Sequence, residues 1–176
     1  MVYYRNNELV IRDMEKADAQ IFTDAFAAQG WHPDVGVYLD RIKDCAEGKC
    51  TALTAVYHGQ PAGHAYVYRT AYGGPFAGKN WPIIVDLSVL EKYRGKGIGS
   101  RLMDAAERIA ARYAPAVCLG VGLSREYGSA QRMYVKRGYI PDGSGVWYNG
   151  MQCEQYKTVC TVDDDLVLYF YRELPV

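Results

Sequence analysis

The stretch that most limits what this chain can become runs from Ile83 to Ser100. Ile83-Ile84-Val85-Asp86-Leu87-Ser88-Val89 has the apolar density of a central strand covered on both sides. Alternation puts Ile83, Val85, Leu87 and Val89 on one face and Ile84, Asp86, Ser88 and Leu90 on the other. The turn that follows, Arg94-Gly95-Lys96-Gly97-Ile98-Gly99-Ser100, carries glycine at three alternate positions. A backbone with no Cβ in the way folds tightly and comes close to a ligand. A helix then shows Ile98, Leu102, Ala105 and Ile109 as its packing stripe, with Asp104 and Arg108 paired on the solvent side and Pro115 ending it. Amides in the first turn of a helix have no partner inside it, and the helix dipole adds positive potential there. The arrangement is an anion site, best suited to a pyrophosphate.

Local charge agrees. Between residues 91 and 112 six cations (Lys92, Arg94, Lys96, Arg101, Arg108, Arg112) stand against three anions (Glu91, Asp104, Glu107). The whole chain balances 20 Lys plus Arg with 20 Asp plus Glu, so the excess is offset elsewhere, in part at Glu154 and Asp163-Asp164-Asp165. That balance argues against nucleic acid or an anionic membrane as partner. At 176 residues, 49% of them hydrophobic, the chain reads as one folded domain over 1–176. Its apolar runs fall short of the roughly 18 residues of a membrane span, and Met1 to Glu8 lacks the layout of a signal peptide. Cys45, Cys50, Cys118, Cys153 and Cys160 include no Cys-x-x-Cys pair, which favours reduced thiols in the cytoplasm over a disulfide framework or zinc site. No residue set has metal-ligand spacing, so no metal is expected.

Elsewhere the pattern predicts a strand over 8–14, with Asp13 placed to cap the next turn. A helix over 15–29 follows, with Ala17, Ile21, Ala25 and Ala28 at helical spacing beside Phe22 and Phe26, and Gly30 stopping it. A second helix covers 38–45 and ends at Gly48. A hairpin joins Thr51–Tyr57 to Ala62–Thr70 through His58-Gly59-Gln60-Pro61, and a Gly- and Pro-rich loop spans Tyr72 to Pro82. Val117–Val121 reads as a buried strand, 128–137 as a short helix, and 145–148 and 166–172 as closing strands. The sum is an α/β domain, a mixed sheet flanked by helices.

Two nucleotide loops fail on spacing. A triphosphate loop needs Gly-Lys followed by Ser or Thr, and Gly97 follows Lys96; the dinucleotide fingerprint needs glycine at position 100, which is serine. Arg94, Gly97 and Gly99 spell Arg-x-x-Gly-x-Gly after a strand, which resembles the coenzyme A-binding motif of the GNAT superfamily of acyl-CoA N-acyltransferases. A second segment, Ala130-Gln131-Arg132-Met133-Tyr134-Val135-Lys136-Arg137-Gly138-Tyr139, is similar to the family's other signature, Asn-x-x-Ala-x-x-x-Tyr-x-Lys-x-Gly-Phe. Ala130, Tyr134, Lys136 and Gly138 match in register, Tyr139 stands for Phe, and Tyr127 departs from the usual Asn.

The resemblance implies a single N-acetyltransferase domain that uses acetyl-CoA. It implies that the strand 83–89 splays from its neighbour at 118–123 to leave a cleft for the acyl-CoA arm. Arg94, Gly95, Lys96, Gly97, Ile98, Gly99 and Ser100 would hold the diphosphate, the backbone of Leu87, Ser88 and Val89 would follow the arm, and Tyr127 and Ala130 would adjoin it. Tyr134 takes the family's general-acid position. Many relatives carry Glu one residue before Asp86, where this chain has Val85.

Acetyl transfer to an amine needs a base, because an ammonium with a pKa of about 10.4 must first lose a proton. Asp86 is a carboxylate in an apolar strand, costly to bury unpartnered and raised toward a useful pKa by burial. It is the first candidate for base or amine binder, with a structural bond to the 72–81 loop as its competing role. Glu126 is the second, and a base acting through ordered water the third. Trp31, His32, Tyr38, Tyr72, Trp81 and Tyr148, with Trp147, are candidates to line the acceptor site, packing under loops being the competing role. His58 and His64 read as ordinary surface or core residues. The leading function is acetylation of a small-molecule primary amine. Alternatives are acetylation of a protein or peptide, a non-catalytic acyl-CoA-binding module, and a nucleotide-binding protein. A homodimer through an exposed last strand at 166–172 stays open.

Overall fold

The computed structural model describes residues 1–175. Its elements in chain order are β1 (Val2–Arg5), β2 (Leu9–Asp13), α1 (Lys16–Ala27), α2 (Val35–Ala46), β3 (Cys50–Tyr57), β4 (Gln60–Tyr68), β5 (Ile83–Val89), α3 (Ile98–Ala110), β6 (Ala116–Gly122), α4 (Gly128–Lys136), β7 (Ile140–Tyr148), β8 (Met151–Gln152) and β9 (Leu166–Glu173). The strands run β1-β2-β3-β4-β5-β6-β9-β7-β8 in a mixed sheet. Among the described residues no helix is long and apolar enough to cross a membrane. The described residues separate into two compact units, 1–68 with 85–109 and 69–84 with 110–175.

In the first unit β1 to β4 form an antiparallel ladder. The hairpin between β3 and β4 is tighter than the pattern predicts. His58 and Gly59 both take positive φ, 46° and 78°, which suits a two-residue turn between right-twisted strands. Gln60 and Pro61 therefore belong to β4, and the register shifts where Pro61, lacking an N–H, faces Val56. Gly63 has a packing reason: a Cβ there would stand 2.5 Å from the Ser88 carbonyl oxygen. The Leu90 amide donates to the Ala62 carbonyl at 2.9 Å, continuing this close approach.

The α1 stripe differs from the one read off the sequence. Ile21 is 42% exposed, and the buried side chains are Asp18, Ala19, Phe22 and Phe26. Phe22 and Phe26, one turn apart, are the two largest apolar side chains of the helix, and their burial with Ala19 sets the inward face. Asp13 does not cap the helix; its carboxylate accepts from the Tyr3 hydroxyl at 2.7 Å, and Glu15 with Asp18 makes a reciprocal capping box. Asp18 is 2% exposed and accepts from both Arg12 guanidinium arms (2.6 and 2.9 Å), the Thr54 hydroxyl (2.9 Å) and the Glu15 amide (2.8 Å). Although burial opposes the charge, the Arg12 hydrogen bond and the others hold this carboxyl below its ordinary value. Asp18→Ala is expected to cost about 3 kcal/mol in a denaturant titration, because Arg12 loses its buried carboxylate and keeps only the exposed Glu15 at 3.5 Å, while the buried Thr54 hydroxyl loses its acceptor. A carboxyl with a lowered native pKa contributes above its unfolded value and loses that contribution as pH falls. The gap between variant and parent should therefore narrow below about pH 4.

The α3 stripe is as read: Ile98, Leu102, Ala105 and Ile109 are buried, together with Met103 and Ala106. The Asp104 carboxylate pairs with Arg101 at 3.2 Å, and Arg108 donates to the Asp104 carbonyl at 3.1 Å. The helix stops at Ala110, ahead of Pro115.

In the second unit β6 runs parallel to β5 at Ile83↔Cys118 and Ile84↔Leu119, and antiparallel to β9 from Ala116↔Glu173 to Gly122↔Val167. β7 pairs with the other side of β9, its register broken between Pro141 and Val146. The expectation of an exposed last strand is thus corrected. β9 lies inside the sheet between β6 and β7, and its backbone groups are taken up by those ladders.

Candidate functional site

The glycine-rich turn is open, as its composition demands. Gly95 and Gly97 both have φ +76°, a left-handed conformation that favours glycine, and a Cβ built on either meets nothing within 4 Å. Buried Leu90 and Ile98 anchor its two ends, and the Arg101 amide donates to the Gly97 carbonyl at 3.1 Å to start α3. Its cations rest on neighbouring groups. The Arg94 guanidinium donates to the Val89 carbonyl (3.3 Å) and lies 5.8 Å from the Trp31 ring centre, and Lys96 stands 5.6 Å from that of Tyr57. An exposed, side-chain-free bend at the first turn of a 13-residue helix, with two cations at its rim, fits a diphosphate.

Asp86 breaks the alternation of β5. It holds φ +53°, a conformation that Asp tolerates better than most residues, so β5 does not continue as a regular strand through it. The expectation of a buried carboxylate is corrected: the side chain is 45% exposed and pairs with Arg41 at 2.8 Å. Its ion-pair partner thus comes from α2. Arg41 also donates to the Tyr68 hydroxyl (2.7 Å), which donates to Asp44 (2.5 Å), and its guanidinium lies over the rings of Tyr66 and Tyr68. Burial pushes the Tyr38 hydroxyl up to about 12, with the Asp86 charge adding to it.

His64 sits beneath this group, ringed by Phe22, Phe26, Tyr38 and Tyr66 at 5.0–5.6 Å between centres. Burial pushes it down to about 4, so it is neutral at physiological pH. Sequence reasoning missed Arg41, Asp44, Tyr66, Tyr68 and the packing of His64. The signals were present: Tyr38, Arg41 and Cys45 share a face of α2, and His64, Tyr66 and Tyr68 alternate along β4.

In the second unit Tyr134 is buried against Tyr139, ring centres 5.7 Å apart, and burial raises its hydroxyl to about 12. It keeps its proton at neutral pH. Tyr127 lies so close over Gly122 that a Cβ there would fall into its ring, and its hydroxyl donates to Asp164 at 2.7 Å. Gln131 ties α4 to the same strand end through the Gly122 carbonyl, at 2.8 Å. Glu126 is fully exposed, and a hydrogen bond from Ser124 lowers its pKa, away from the range of a neutral-pH base. A cavity of about 390 Å³ beside α4 is lined by Val121, Leu168 and Phe170 together with Arg132 and Lys136 of the helix; none of the expected site residues lines it.

The aromatic candidates divide by environment. Trp31 is 45% exposed and stacked on Phe26; His32 is exposed and Tyr38 buried. In the second unit Tyr72 is exposed, Trp81 packs between Phe76 and Tyr171, and the Tyr148 hydroxyl donates to Asp163 at 3.2 Å. Trp31, His32 and Tyr72 present surface that an acceptor can touch, whereas Tyr38 and Trp81 spend theirs on packing.

Residues 12–139 match the model of the acetyltransferase (GNAT) family. No curated protein matches the chain. Among solved structures, Ard1 from Thermoplasma volcanium is 19% identical with a TM-score of 0.69, covering 96% of this chain and 99% of that one. The structure of yncA from Salmonella typhimurium with its cofactor acetyl-CoA is 16% identical, TM-score 0.70, covering 96% and 95%. The ribosomal-protein-S18-alanine N-acetyltransferase from Escherichia coli is 13% identical, TM-score 0.68, again covering 96% and 95%. At such identities these likenesses are of fold. With the family model covering well over half the sequence and the mixed sheet superposing on its structures, this protein belongs to the GNAT acetyltransferase family.

Proposed function

We propose that the protein is an acetyl-CoA-dependent N-acetyltransferase acting on a primary amine by direct attack of the amine on the thioester. The observation that carries this reading is the open turn at Gly95 and Gly97, left-handed at both glycines and unobstructed where a ligand would lie. Acetyl-CoA, when bound, supplies an acyl group already activated as a thioester. Residues Gly95 to Ser100 offer main-chain amides to its diphosphate, and Arg94 and Lys96 offer charge. The backbone of Leu87, Ser88 and Val89 follows the pantetheine arm, and Tyr127 and Ala130 adjoin it.

Asp86, exposed and oriented by Arg41, attracts the acceptor ammonium and accepts its proton, directly or through water. Tyr134 holds a proton up to about pH 12 and delivers it to the departing sulfur. Glu126 is a weaker proposal for the base, since its lowered pKa leaves it a poor proton acceptor at neutrality. Trp31 and His32 in the first unit, and Tyr72 and Tyr148 in the second, are the aromatic groups proposed for the acceptor.

The acceptor is proposed to be a small-molecule amine. A protein N-terminus has equal support, because structures of this fold include enzymes named for ribosomal proteins S18 and L7/L12. The test is thiol release from acetyl-CoA over a panel of polyamines, aminoglycosides, amino acids and short peptides with free N-termini. Turnover on one class is expected. Coenzyme binding with no turnover on any acceptor points instead to a non-catalytic acyl-CoA-binding module, and protection by ATP or NAD with no gain from coenzyme A to a nucleotide-binding protein.

A further inference from the structure

Two of the five cysteines stand together at the end of α2. Cys45 is in the last turn of that helix and Cys50 opens β3, with Ala46-Glu47-Gly48-Lys49 between them. Their sulfurs are 3.0 Å apart, both thiols free. A disulfide bond is about 2.05 Å long, so closing this gap takes about 1 Å of movement. The connecting turn is already folded back: the Gly48 amide donates to the Cys45 carbonyl (3.0 Å), the Lys49 amide to the Asp44 carbonyl (2.9 Å), and Gly48 holds φ +73°.

The two thiols are not equivalent. Cys45 is partly exposed, so an outside reagent reaches it, whereas Cys50 is 5% exposed and faces the protein, its thiol donating to the Arg41 carbonyl at 3.6 Å. Hydrogen bonding from Cys50 lowers the Cys45 thiol, and the same contact with burial raises that of Cys50. The accessible sulfur is thus the better nucleophile and the hidden one is placed to resolve it.

We propose that Cys45 and Cys50 form a reversible dithiol–disulfide modification site, oxidised by a small-molecule disulfide of the glutathione type. The Cys45 thiolate attacks one sulfur of that disulfide, its S–S bond breaks, and one small thiol leaves, so that Cys45 carries a mixed disulfide. Cys50 gives up its proton and attacks the Cys45 sulfur, the mixed bond breaks, and the second small thiol departs. Two protein thiols are oxidised, one small disulfide is reduced to two thiols, and the two protons end on the released thiols. The consequence for the site is local: the Arg41 carbonyl loses its S–H donor, on the residue that holds Asp86 and Tyr68. This proposal stands whatever the acceptor and whether or not the protein is catalytic.

Trypsin tests it directly, because cleavage after Lys43, Lys49 and Arg69 puts the two cysteines on separate peptides, 44–49 and 50–69. The folded protein is equilibrated with oxidised glutathione, free thiols are blocked at acid pH, and the digest is analysed by mass spectrometry. Most of the material is expected as the linked pair 44–49 with 50–69, returning to separate peptides after dithiothreitol. In Cys50→Ser the link is lost and glutathione accumulates on Cys45. If that variant does not fold, Cys45→Ser gives the same loss of the link. Recovery of both parent peptides as blocked thiols, glutathione retained on Cys45 of the parent, or a link from either residue to Cys118, Cys153 or Cys160 overturns the proposal.

Discussion

Replacing Gly97 with glutamate is expected to weaken coenzyme A binding by about 10³-fold, or about 4 kcal/mol, in calorimetry on folded protein. Two effects add. A side chain at φ +76° is strained by roughly 1–2 kcal/mol, and a carboxylate pointing into the open side of the turn meets a diphosphate of like charge. A second substitution separates them. Gly97→Asn keeps the position neutral with a residue that tolerates left-handed backbone, so its loss is expected to stay near 10-fold. Unaltered affinity in Gly97→Glu, with circular dichroism matching the parent, removes the turn from the binding site. Equal losses in the two variants assign the effect to shape and not to charge.

Tyr134→Phe is expected to lower kcat by about 10³-fold and leave the coenzyme dissociation constant unchanged. The ring stays, so its packing on Tyr139 and the α4 helix survive, and only the hydroxyl is lost. Burial holds that hydroxyl protonated to about pH 12, so at any ordinary assay pH it is a proton donor and never a base. Its removal therefore acts on the departure of the thiol and should show in single-turnover rates as strongly as in the steady state. Turnover equal to the parent's removes Tyr134 from the mechanism, and a parallel rise in the dissociation constant turns it into a packing residue of the coenzyme site.

Elements with one dominant local signal were legible. The run 83–89, the Gly95–Gly99 turn and the Ile98–Leu102–Ala105–Ile109 stripe each appear where pattern places them, because strand, turn and helix there are set by neighbouring residues. What escaped is set by partners far along the chain. Asp86 looks buried on periodicity and is exposed, since its left-handed backbone takes it out of the regular alternation of the strand. Its ion pair comes from Arg41, 45 residues earlier, on a helix held in place by packing on α1 and β3. β9 looks like an edge because it is last in the chain, yet strand order follows pairing and not sequence. Of the candidate site, the glycine-rich turn and Tyr134 lay in contiguous motifs; the Arg41–Tyr68–Asp44 hydrogen-bond chain lay in no motif at all.

The bend of β5 at Asp86 has a bearing on how such a strand is dissected. Where a strand leaves regular geometry, peptide N–H and C=O groups are freed from the ladder and turned outward. Truncating side chains one by one leaves every peptide group in place. A scan of Leu87, Ser88 and Val89 to alanine thus reports on side chains, and the role proposed for the main chain is tested only when an amide is itself exchanged for an ester.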